Sequence, residues 1–147
     1  MVINMNYKLI KSSSDDIEKL IEYKKKTIYE YAKDLSDKEI NEIDNYARNT
    51  VLETINDYMN IVIDNKVVGC LLLTKKDDGI LIDEIYLEKE YRNKSIGTNI
   101  INNILKDNDI VYLWVYKENI KAIELYKRLE FKIIDETDSR YYMKYSK

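Results

Sequence analysis

Residues 87 to 98 read LEKEYRNKSIGT, a polar loop that joins a β-rich segment to an amphipathic one. The segment before the loop has the composition of a strand, and the segment that begins near Gly97 has apolar residues at helical spacing. The first turn of a helix has unpaired amides and carries the positive end of the helix dipole. The small residues Ser95 and Gly97 would let a ligand approach those amides, and Arg92 and Lys94 add positive charge. The loop therefore predicts a pyrophosphate site, although a solvated turn can have the same composition.

A second stretch, VYKENIKAIELYKRLEF at residues 115 to 131, has the pattern of a helix that leads into a strand. Asn119 stands at the start of this helix, and apolar residues follow it at three- and four-residue steps. Among them is Tyr126, two turns further on. The stretch therefore predicts a helix with a tyrosine on its apolar face, followed by a short strand that begins near Phe131.

The two stretches together resemble the GNAT superfamily of N-acetyltransferases. Arg92-x-x-Ser95-x-Gly97 matches the acetyl-CoA signature R/Q-x-x-G-x-G/A, and residues 119 to 131 look like the family segment N-x-x-A-x-x-L-Y-x-x-x-G-F. The chain departs from these patterns at Ser95 and Glu130, where the family usually has glycine. Because a side chain disfavours positive φ, we expect Ser95 either to keep ordinary dihedrals or to weaken the binding of the cofactor.

The rest of the chain supplies the order of elements that this resemblance implies. Helical spacing of apolar residues begins after Ser14 and again after the capping box that starts at Ser36, and three β-rich runs then predict an antiparallel meander. The predicted segments are a strand at 7–10, helices at 15–32 and from 36, strands at 58–63, 67–74 and 80–87, a helix from 97, a buried strand at 110–115, a helix around 122–129, and strands at 131–134 and 140–145.

The predicted element order is β-α-α-β-β-β-α-β-α-β-β. The resemblance implies the GNAT fold, an α/β architecture in which a mixed, mostly antiparallel central sheet is flanked by helices on both faces. The chain has three glycines and no proline, and its composition does not shift at any point that would mark a linker. We therefore expect a single N-acetyltransferase domain over residues 1–147.

Composition argues against several classes of partner. The 24 basic and 27 acidic residues give a formal charge of −3 without a basic block, which disfavours nucleic acid. No stretch approaches the roughly 20 apolar residues of a membrane helix, and the N-terminus lacks a signal-peptide pattern, so we expect a cytoplasmic protein that does not enter a membrane. Cys70 is the single cysteine, and its apolar surroundings in the sequence predict a buried thiol.

The chain contains no histidine. This excludes Ser-His-Asp and Cys-His nucleophile systems and the commonest imidazole metal sites. Proton transfer must then use carboxylates, tyrosines or lysines. The resemblance implies chemistry of this kind, with acetyl-CoA as the co-substrate and no metal.

The resemblance also implies where the cofactor lies. In this family the fourth and fifth strands separate, and the pantetheine arm of CoA pairs with the fourth strand. Here that assigns Ile85, Tyr86 and Leu87 to the arm, with an amide near Leu87 facing the thioester carbonyl. Asn119 is assigned a hydrogen bond with the same arm. The remaining implied contacts lie in the pyrophosphate loop, at Arg92, Asn93, Lys94, Ser95, Ile96, Gly97 and Thr98.

Two catalytic roles are implied near the thioester. Tyr126 would protonate the departing thiolate, although the helix pattern alone favours a core tyrosine. A carboxylate would take a proton from the amine, and the candidates are Asp83 and Glu84, inside a predicted strand. Period-two alternation sends these side chains to opposite faces unless a bulge intervenes. We select Glu84 for its longer reach, with Asp83 as the alternative.

These features predict the transfer of an acetyl group from acetyl-CoA to a primary amine by direct attack in a ternary complex. The amine could belong to a small molecule or a peptide, and in this family the first two helices wall its site. Enzymes that acetylate ribosomal-protein N-termini carry a glutamate where this chain has Trp114, which disfavours that function. The alternative is a CoA-binding sensor or interaction module without turnover. The sequence leaves open the acceptor and the oligomeric state, a homodimer included.

Overall fold

Residues 6–147, which the computed structural model describes, form a seven-stranded sheet with four α-helices around it. The strands are β1 (Lys8–Lys11), β2 (Tyr58–Ile63), β3 (Lys66–Lys75), β4 (Ile80–Leu87), β5 (Ile110–Tyr116), β6 (Lys132–Glu136) and β7 (Arg140–Ser146). The helices are α1 (Ile17–Tyr31), α2 (Asp37–Thr54), α3 (Ile96–Asp107) and α4 (Ile120–Arg128). The strand order is β1-β2-β3-β4-β5-β7-β6, and each pair of neighbours is antiparallel except β4 with β5. The predicted α/β architecture and element order are confirmed.

Each face of the sheet has its own hydrophobic core. On one face, Leu20 of α1 and Val51 of α2 pack in a cluster with Leu72 of β3. On the other face, Ile100 of α3 packs in a second cluster that includes Leu113 of β5. Both faces of the central strands therefore bury side chains, as their nearly continuous apolar sequences predict. Helices cover the two faces as expected.

The capping box and the buried cysteine are both confirmed. The Glu39 N–H donates to Oγ of Ser36 at 3.2 Å, and the Ser36 N–H donates to Oε1 of Glu39 at 3.2 Å. Two amides that the helix leaves unpaired are thereby satisfied. Cys70 is a free thiol on β3 and has no exposed surface. No helix within residues 6–147 is both long enough and apolar enough to span a bilayer.

β5 is buried on one face only. Leu113 and Val115 pack under α3 and α4, whereas Trp114 and Tyr116 are half-buried on the opposite face. The prediction of a buried strand at 110–115 is therefore wrong for one of its faces. The reason is that the core beneath α1 and α2 draws its sheet residues from β2, β3 and β4.

β4 and β5 pair in parallel at three positions, from Ile80 with Val111 to Ile82 with Leu113. Beyond Ile82, β4 continues to pair with β3 but no longer with β5. The two strands therefore separate in the middle of the sheet, as the resemblance implied.

A β-bulge interrupts β4 at the same place. Consecutive partners on β3 face Glu84 and Ile82, so Asp83 is an extra residue. Ile82 and Ile85 both belong to the cluster beneath α3 and α4. The two residues between them therefore turn to the opposite face. The bulge brings Asp83 and Glu84 onto one side of the sheet, which simple alternation would not do.

Candidate active site

The separation of β4 from β5 opens a cleft of about 440 Å³. Its walls come from α1, α2, β4, β5, the start of α4 and the turn before β7. Among the sequence-predicted residues, those that line it are Asp83, Glu84, Ile85, Asn119 and Tyr126. A larger hollow of about 820 Å³ lies beside α3 and the C-terminal end of α4, and none of the predicted residues lines it. The cleft is therefore the candidate active site.

The edge of β4 that faces the cleft carries unpaired main-chain groups. The Glu88 N–H donates to the carbonyl of Val68 at 2.8 Å, which identifies these two residues as a hydrogen-bonded pair of the β3–β4 ladder. Alternation along the ladder then directs the main-chain groups of Ile85 and Leu87 away from β3 and toward the cleft. The Leu87 carbonyl accepts a hydrogen bond from Nε of Arg92 at 2.8 Å. Within the described part of the chain, the Ile85 carbonyl and both amides are left for a ligand.

Tyr86 and Arg92 point elsewhere. The Tyr86 ring stacks on Tyr23 of α1 with centroids 4.7 Å apart. In the β3–β4 ladder, Tyr86 is paired with Cys70. The Arg92 guanidinium lies 5.3 Å from the centroid of the Tyr86 ring, and its Nη1 is 3.0 Å from Oε1 of Glu30. These contacts tie the loop before α3 to α1. They also occupy two of the side chains that the resemblance assigned to the cofactor.

Two residues of the loop before α3 have backbone dihedrals that usually favour glycine, although neither of them is glycine. Ser95 has a φ of 66° and Asn93 a φ of 61°, both in the left-handed region. The expectation that Ser95 keeps ordinary dihedrals is therefore wrong. Its left-handed conformation destabilises the fold by about 1–2 kcal/mol. The first hydrogen bond of α3 joins the Asn99 N–H to the Ser95 carbonyl at 3.0 Å. The amides of residues 96 to 98 precede that bond and have no partner within the helix.

Gly97 lies in the first turn of α3 for a reason other than φ, because its φ is negative. A Cβ at Gly69 or Gly79 would collide with a carbonyl oxygen of a neighbouring strand, whereas the nearest atom to a Cβ at Gly97 is Cδ1 of Leu87 at 3.8 Å. Glycine in a helix is about 1 kcal/mol less favourable than alanine. The open space over Gly97 is what a ligand would need in order to reach the amides of the first turn.

The other loop residues differ in what they can offer a ligand. The Ile96 side chain is buried in the core beneath α3 and α4, so only its main chain could take part. Asn93 and Lys94 are exposed, and Thr98 is partly buried. Lys94 is therefore an exposed cationic side chain, close in sequence to the helix start, that can move toward a phosphate.

Two contacts hold Glu84 in the cleft. Its Oε1 lies 3.3 Å from Nζ of Lys24 on α1, and the two side chains are 8% and 12% exposed, respectively. Its Oε2 accepts a weak hydrogen bond from Sγ of Cys70 at 3.5 Å. Asp83 is exposed and accepts a hydrogen bond from Oγ1 of Thr74 at 3.1 Å. Glu84 is thus the positioned carboxylate, and Asp83 is the one that water reaches.

The groups beneath Glu84 are protonated at neutral pH. Burial, reinforced by the Glu84 carboxylate, raises the pKa of the Cys70 thiol well above its ordinary value. A protonated thiol is a poor nucleophile. The hydroxyl of Tyr58 lies buried without a hydrogen-bond partner in the described residues, and burial raises its pKa as well. Neither group competes with an external amine as a nucleophile.

Tyr126 lies between the cleft and the core beneath α3 and α4. It lines the cleft, packs against that core, and has its ring centroid 5.7 Å from that of Phe131. Burial raises the pKa of its phenol to about 12, with a smaller rise from nearby Tyr31. The phenol is therefore protonated at neutral pH, which is the state that a proton donor requires.

Asn119 caps α4. Its Oδ1 accepts a hydrogen bond from the Ala122 N–H at 3.3 Å. Because the carbonyl oxygen of the side chain is used in this way, the side-chain NH₂ is the group that it can present to the cleft, which Asn119 lines.

Glu130 follows α4 with a φ of 74°, at the position where the family has glycine. A side chain in this conformation destabilises the fold by about 1 kcal/mol. Glycine would remove that strain, but it would also make the unfolded chain more flexible, which offsets part of the stabilisation. We expect Glu130→Gly to raise the free energy of unfolding by about 0.5 kcal/mol and Tm by about 1–2 °C. Lys127→Gly, inside α4, is the matched control and should lower Tm. A lower Tm for Glu130→Gly would show that the turn is not strained.

An aromatic wall faces the cleft on the side of α1 and α2. The resemblance assigns this side to the acceptor, so we call it the acceptor side. Tyr31 of α1 stacks on Tyr116 of β5 with centroids 4.8 Å apart, and Tyr46 of α2 and Trp114 of β5 also line the cleft. Sequence reasoning missed this wall. The signal was the alternation of aliphatic and aromatic residues along β5, which places the aromatic ones on one face.

Comparison with known proteins identifies sequences and structures that are similar to this chain. A family model described as the acetyltransferase (GNAT) family matches residues 18–131. An uncharacterised N-acetyltransferase of Methanocaldococcus jannaschii is 44% identical over 55 residues, which are 34% of this chain and 24% of that protein. The match therefore spans about a quarter of the length of this curated relative.

Solved structures share the fold at low sequence identity. The PaiA N-acetyltransferase of Thermoplasma acidophilum, in complex with coenzyme A, has a TM-score of 0.78 at 22% identity, over 97% of this chain and 100% of that one. Arabidopsis thaliana Naa50, in complex with the bisubstrate analogue CoA-Ac-MVNAL, has a TM-score of 0.64 at 22% identity, over 96% and 99% of the two chains.

The divided sheet, with helices on both faces, is the fold that the chain shares with these solved N-acetyltransferases. Since the family model spans most of the chain, the protein belongs to the GNAT acetyltransferase family.

Proposed function

We propose that the protein transfers an acetyl group from acetyl-CoA to a primary amine by direct attack in a ternary complex. The observation that carries this proposal is the combination of an open β4 edge at Ile85 and Leu87 with the empty space over Gly97. An extended arm fits a strand edge, and a pyrophosphate fits the start of a helix. Ile85, in the open edge, also lines the cleft that contains the carboxylates and Tyr126. Membership of an acetyltransferase family supports the same reaction.

The chain's own groups suggest how the cofactor is held. The amides of residues 96 to 98 and the side chain of Lys94 would bind the pyrophosphate, and the NH₂ of Asn119 would bind the pantetheine arm. The main chain of Ile85 and Leu87 would pair with the same arm, and the Leu87 amide would stabilise negative charge on the thioester oxygen. Arg92 supports the loop through Glu30 and is left out of these contacts, as is Tyr86.

The acceptor amine must lose a proton before it attacks. We assign this step to Glu84, because its carboxylate is fixed by Lys24 and lies in the wall of the cleft. The amine nitrogen then attacks the thioester carbon, the carbon–sulfur bond breaks, and the phenol of Tyr126 protonates the thiolate. The proton that the nitrogen loses as the amide forms returns, through water, to the phenolate. A covalent route through Cys70 is disfavoured because that thiol is buried and protonated.

The release of free thiol from acetyl-CoA over a panel of primary amines tests this function. An acetyltransferase should release thiol only when an acceptor amine is present, and the acetylated product should appear in equal amount. A CoA-binding sensor, the alternative, would gain thermal stability from CoA but release no thiol with any amine. A domain unrelated to CoA would show neither effect.

Glu84→Gln should lower kcat/KM by roughly 10- to 100-fold near pH 7. The loss should be largest at low pH and smaller at high pH, where more of the amine is already unprotonated. Asp83→Asn should keep the pH dependence of the wild type. The measurement is kcat/KM for the amine as a function of pH, followed by thiol release at one saturating concentration of acetyl-CoA.

Glu84→Gln also leaves Lys24 without its partner, which can destabilise the fold on its own. The matched control is Lys24→Met combined with Glu84→Gln, which removes both charges. If the double variant recovers the rate, the defect of Glu84→Gln comes from the unpaired lysine. If Asp83→Asn is the more damaging change, the proton acceptor is Asp83.

A further inference from the structure

The acceptor side of the cleft contains a guanidinium that the proposed reaction does not use. Arg140, at the start of β7, lines the cleft and is half-buried. Its guanidinium carbon lies 4.9 Å from the centroid of the Trp114 ring. Stacking on an indole holds the guanidinium plane while its N–H groups can still donate at the edge. Arg140 is therefore a positioned cation rather than a freely moving one.

This guanidinium differs from the two arginines that form ion pairs. Arg92 pairs with Glu30 at 3.0 Å, and Arg48 pairs with Glu18 at 2.8 Å. Over residues 6–147, no carboxylate lies within ion-pair distance of Arg140. The main chain of Arg140 bonds to Thr137, but the side chain takes no part in those bonds. Its charge is therefore left for a ligand.

The location of Arg140 favours the acceptor over the cofactor. Trp114 alternates along β5 with Leu113 and Val115, which face the core beneath α3 and α4. Trp114 and the guanidinium stacked on it therefore lie on the opposite face, away from the helix start at Gly97. A phosphate of the cofactor would approach from the α3 side. An anionic group at Arg140 must then come with the other substrate.

The unpaired charges of the cleft indicate which charged groups the acceptor substrate has. Lys24 and Glu84 neutralise each other. Asp83, on the β4 wall, is left as a negative charge that attracts an ammonium group, and Arg140, on the other wall, is left as a positive one. One guanidinium matches the single charge and planar edge of a carboxylate. Among the described residues that line the cleft, the second charge of a phosphate would have no free cation to pair with, since Lys24 is already paired with Glu84.

On the basis of the proposed function, we infer that the acceptor is an amine that also carries a carboxylate, such as a free amino acid, and that Arg140 selects it by binding the carboxylate. Arg140 is then a specificity-determining residue. It lies on the acceptor side and takes no part in the proton transfers of the reaction.

The test compares the common amino acids with the amines that their decarboxylation would give. Wild-type protein should prefer the carboxylate-bearing member of at least one pair by about 10- to 100-fold in kcat/KM. Arg140→Met should remove that preference mainly through KM, and Arg140→Lys should restore part of it, because it keeps the charge and loses the fork. Arg128→Met, an exposed arginine after which α4 ends, is the matched control. The rise in Tm caused by CoA should be the same in all four proteins.

Thermal shifts with CoA and each amino acid separate the possible failures. If no amine releases thiol but an amino acid raises Tm in the wild type and not in Arg140→Met, the proposed reaction is wrong and the carboxylate site stands. If amines are acetylated without any preference for a carboxylate, or if Arg140→Met keeps the preference, the inference is wrong. The same holds if no amino acid gives either an Arg140-dependent rate or an Arg140-dependent shift.

Discussion

Tyr126→Phe is expected to lower kcat by roughly 10- to 1000-fold while cofactor binding stays intact. The change removes one oxygen, so the ring should still pack beside Phe131. Because burial raises the pKa of the phenol to about 12, Tyr126 stays protonated well above neutral pH. The loss in kcat should therefore be nearly constant between about pH 7 and pH 10.

Thiol release measures kcat in this variant, and the rise in Tm caused by CoA measures binding. Tyr112→Phe is the matched control, because the Tyr112 hydroxyl donates to Asp78 at 2.9 Å, outside the cleft. Its kcat should be that of the wild type. If Tyr126→Phe also keeps wild-type kcat, Tyr126 is a packing residue and the thiolate takes its proton from another source.

Gly97→Leu should abolish most of the stabilisation that CoA gives. Wild-type protein should gain about 2.7 kcal/mol at a CoA concentration 100 times Kd. The leucine would extend into the space beside the amides of residues 96 to 98, where a Cβ at Gly97 has Cδ1 of Leu87 as its nearest neighbour, at 3.8 Å. The free protein should fold normally, because a Cβ at this position meets Cδ1 of Leu87 only at an ordinary contact distance and leucine favours helix.

Gly97→Ala gives a graded version of the same test. It should raise Tm of the free protein, since alanine is about 1 kcal/mol more favourable than glycine inside a helix. The same change should reduce the rise in Tm caused by CoA. Lys106→Leu, in the last turn of α3, is the control and should keep that rise. An undiminished CoA effect in Gly97→Leu would show that the phosphates bind elsewhere.

The fold could be predicted because its signals are local. The capping box at Ser36, the apolar spacing of the four helices and the β-rich runs each reflect a few neighbouring residues. Cys70 was correctly predicted as buried from its apolar run alone. The divided sheet itself was implied by the family resemblance that this order of elements and the two motif-like stretches carry.

The site was harder to predict because it depends on contacts between distant segments. The bulge that places Asp83 beside Glu84 exists only in the register of β3 with β4. Arg92 matches a binding motif, yet its guanidinium pairs with Glu30 of α1, 62 positions earlier in the chain. Ser95 adopts a conformation that its own residue type disfavours, because the surrounding loop and helix require it. No single segment contains this information.

The open edge of β4 also bears on solubility. An unpaired strand edge in water can recruit strands of other molecules and begin aggregation. The free groups of Ile85 and Leu87 lie inside the sheet, between β3 and the diverging β5, where another protein chain has poor access. The outermost strands instead carry charged residues, lysines in β1 and lysine, aspartate and glutamate in β6. The strand edge on which the proposed function depends is thereby shielded from other copies of the chain.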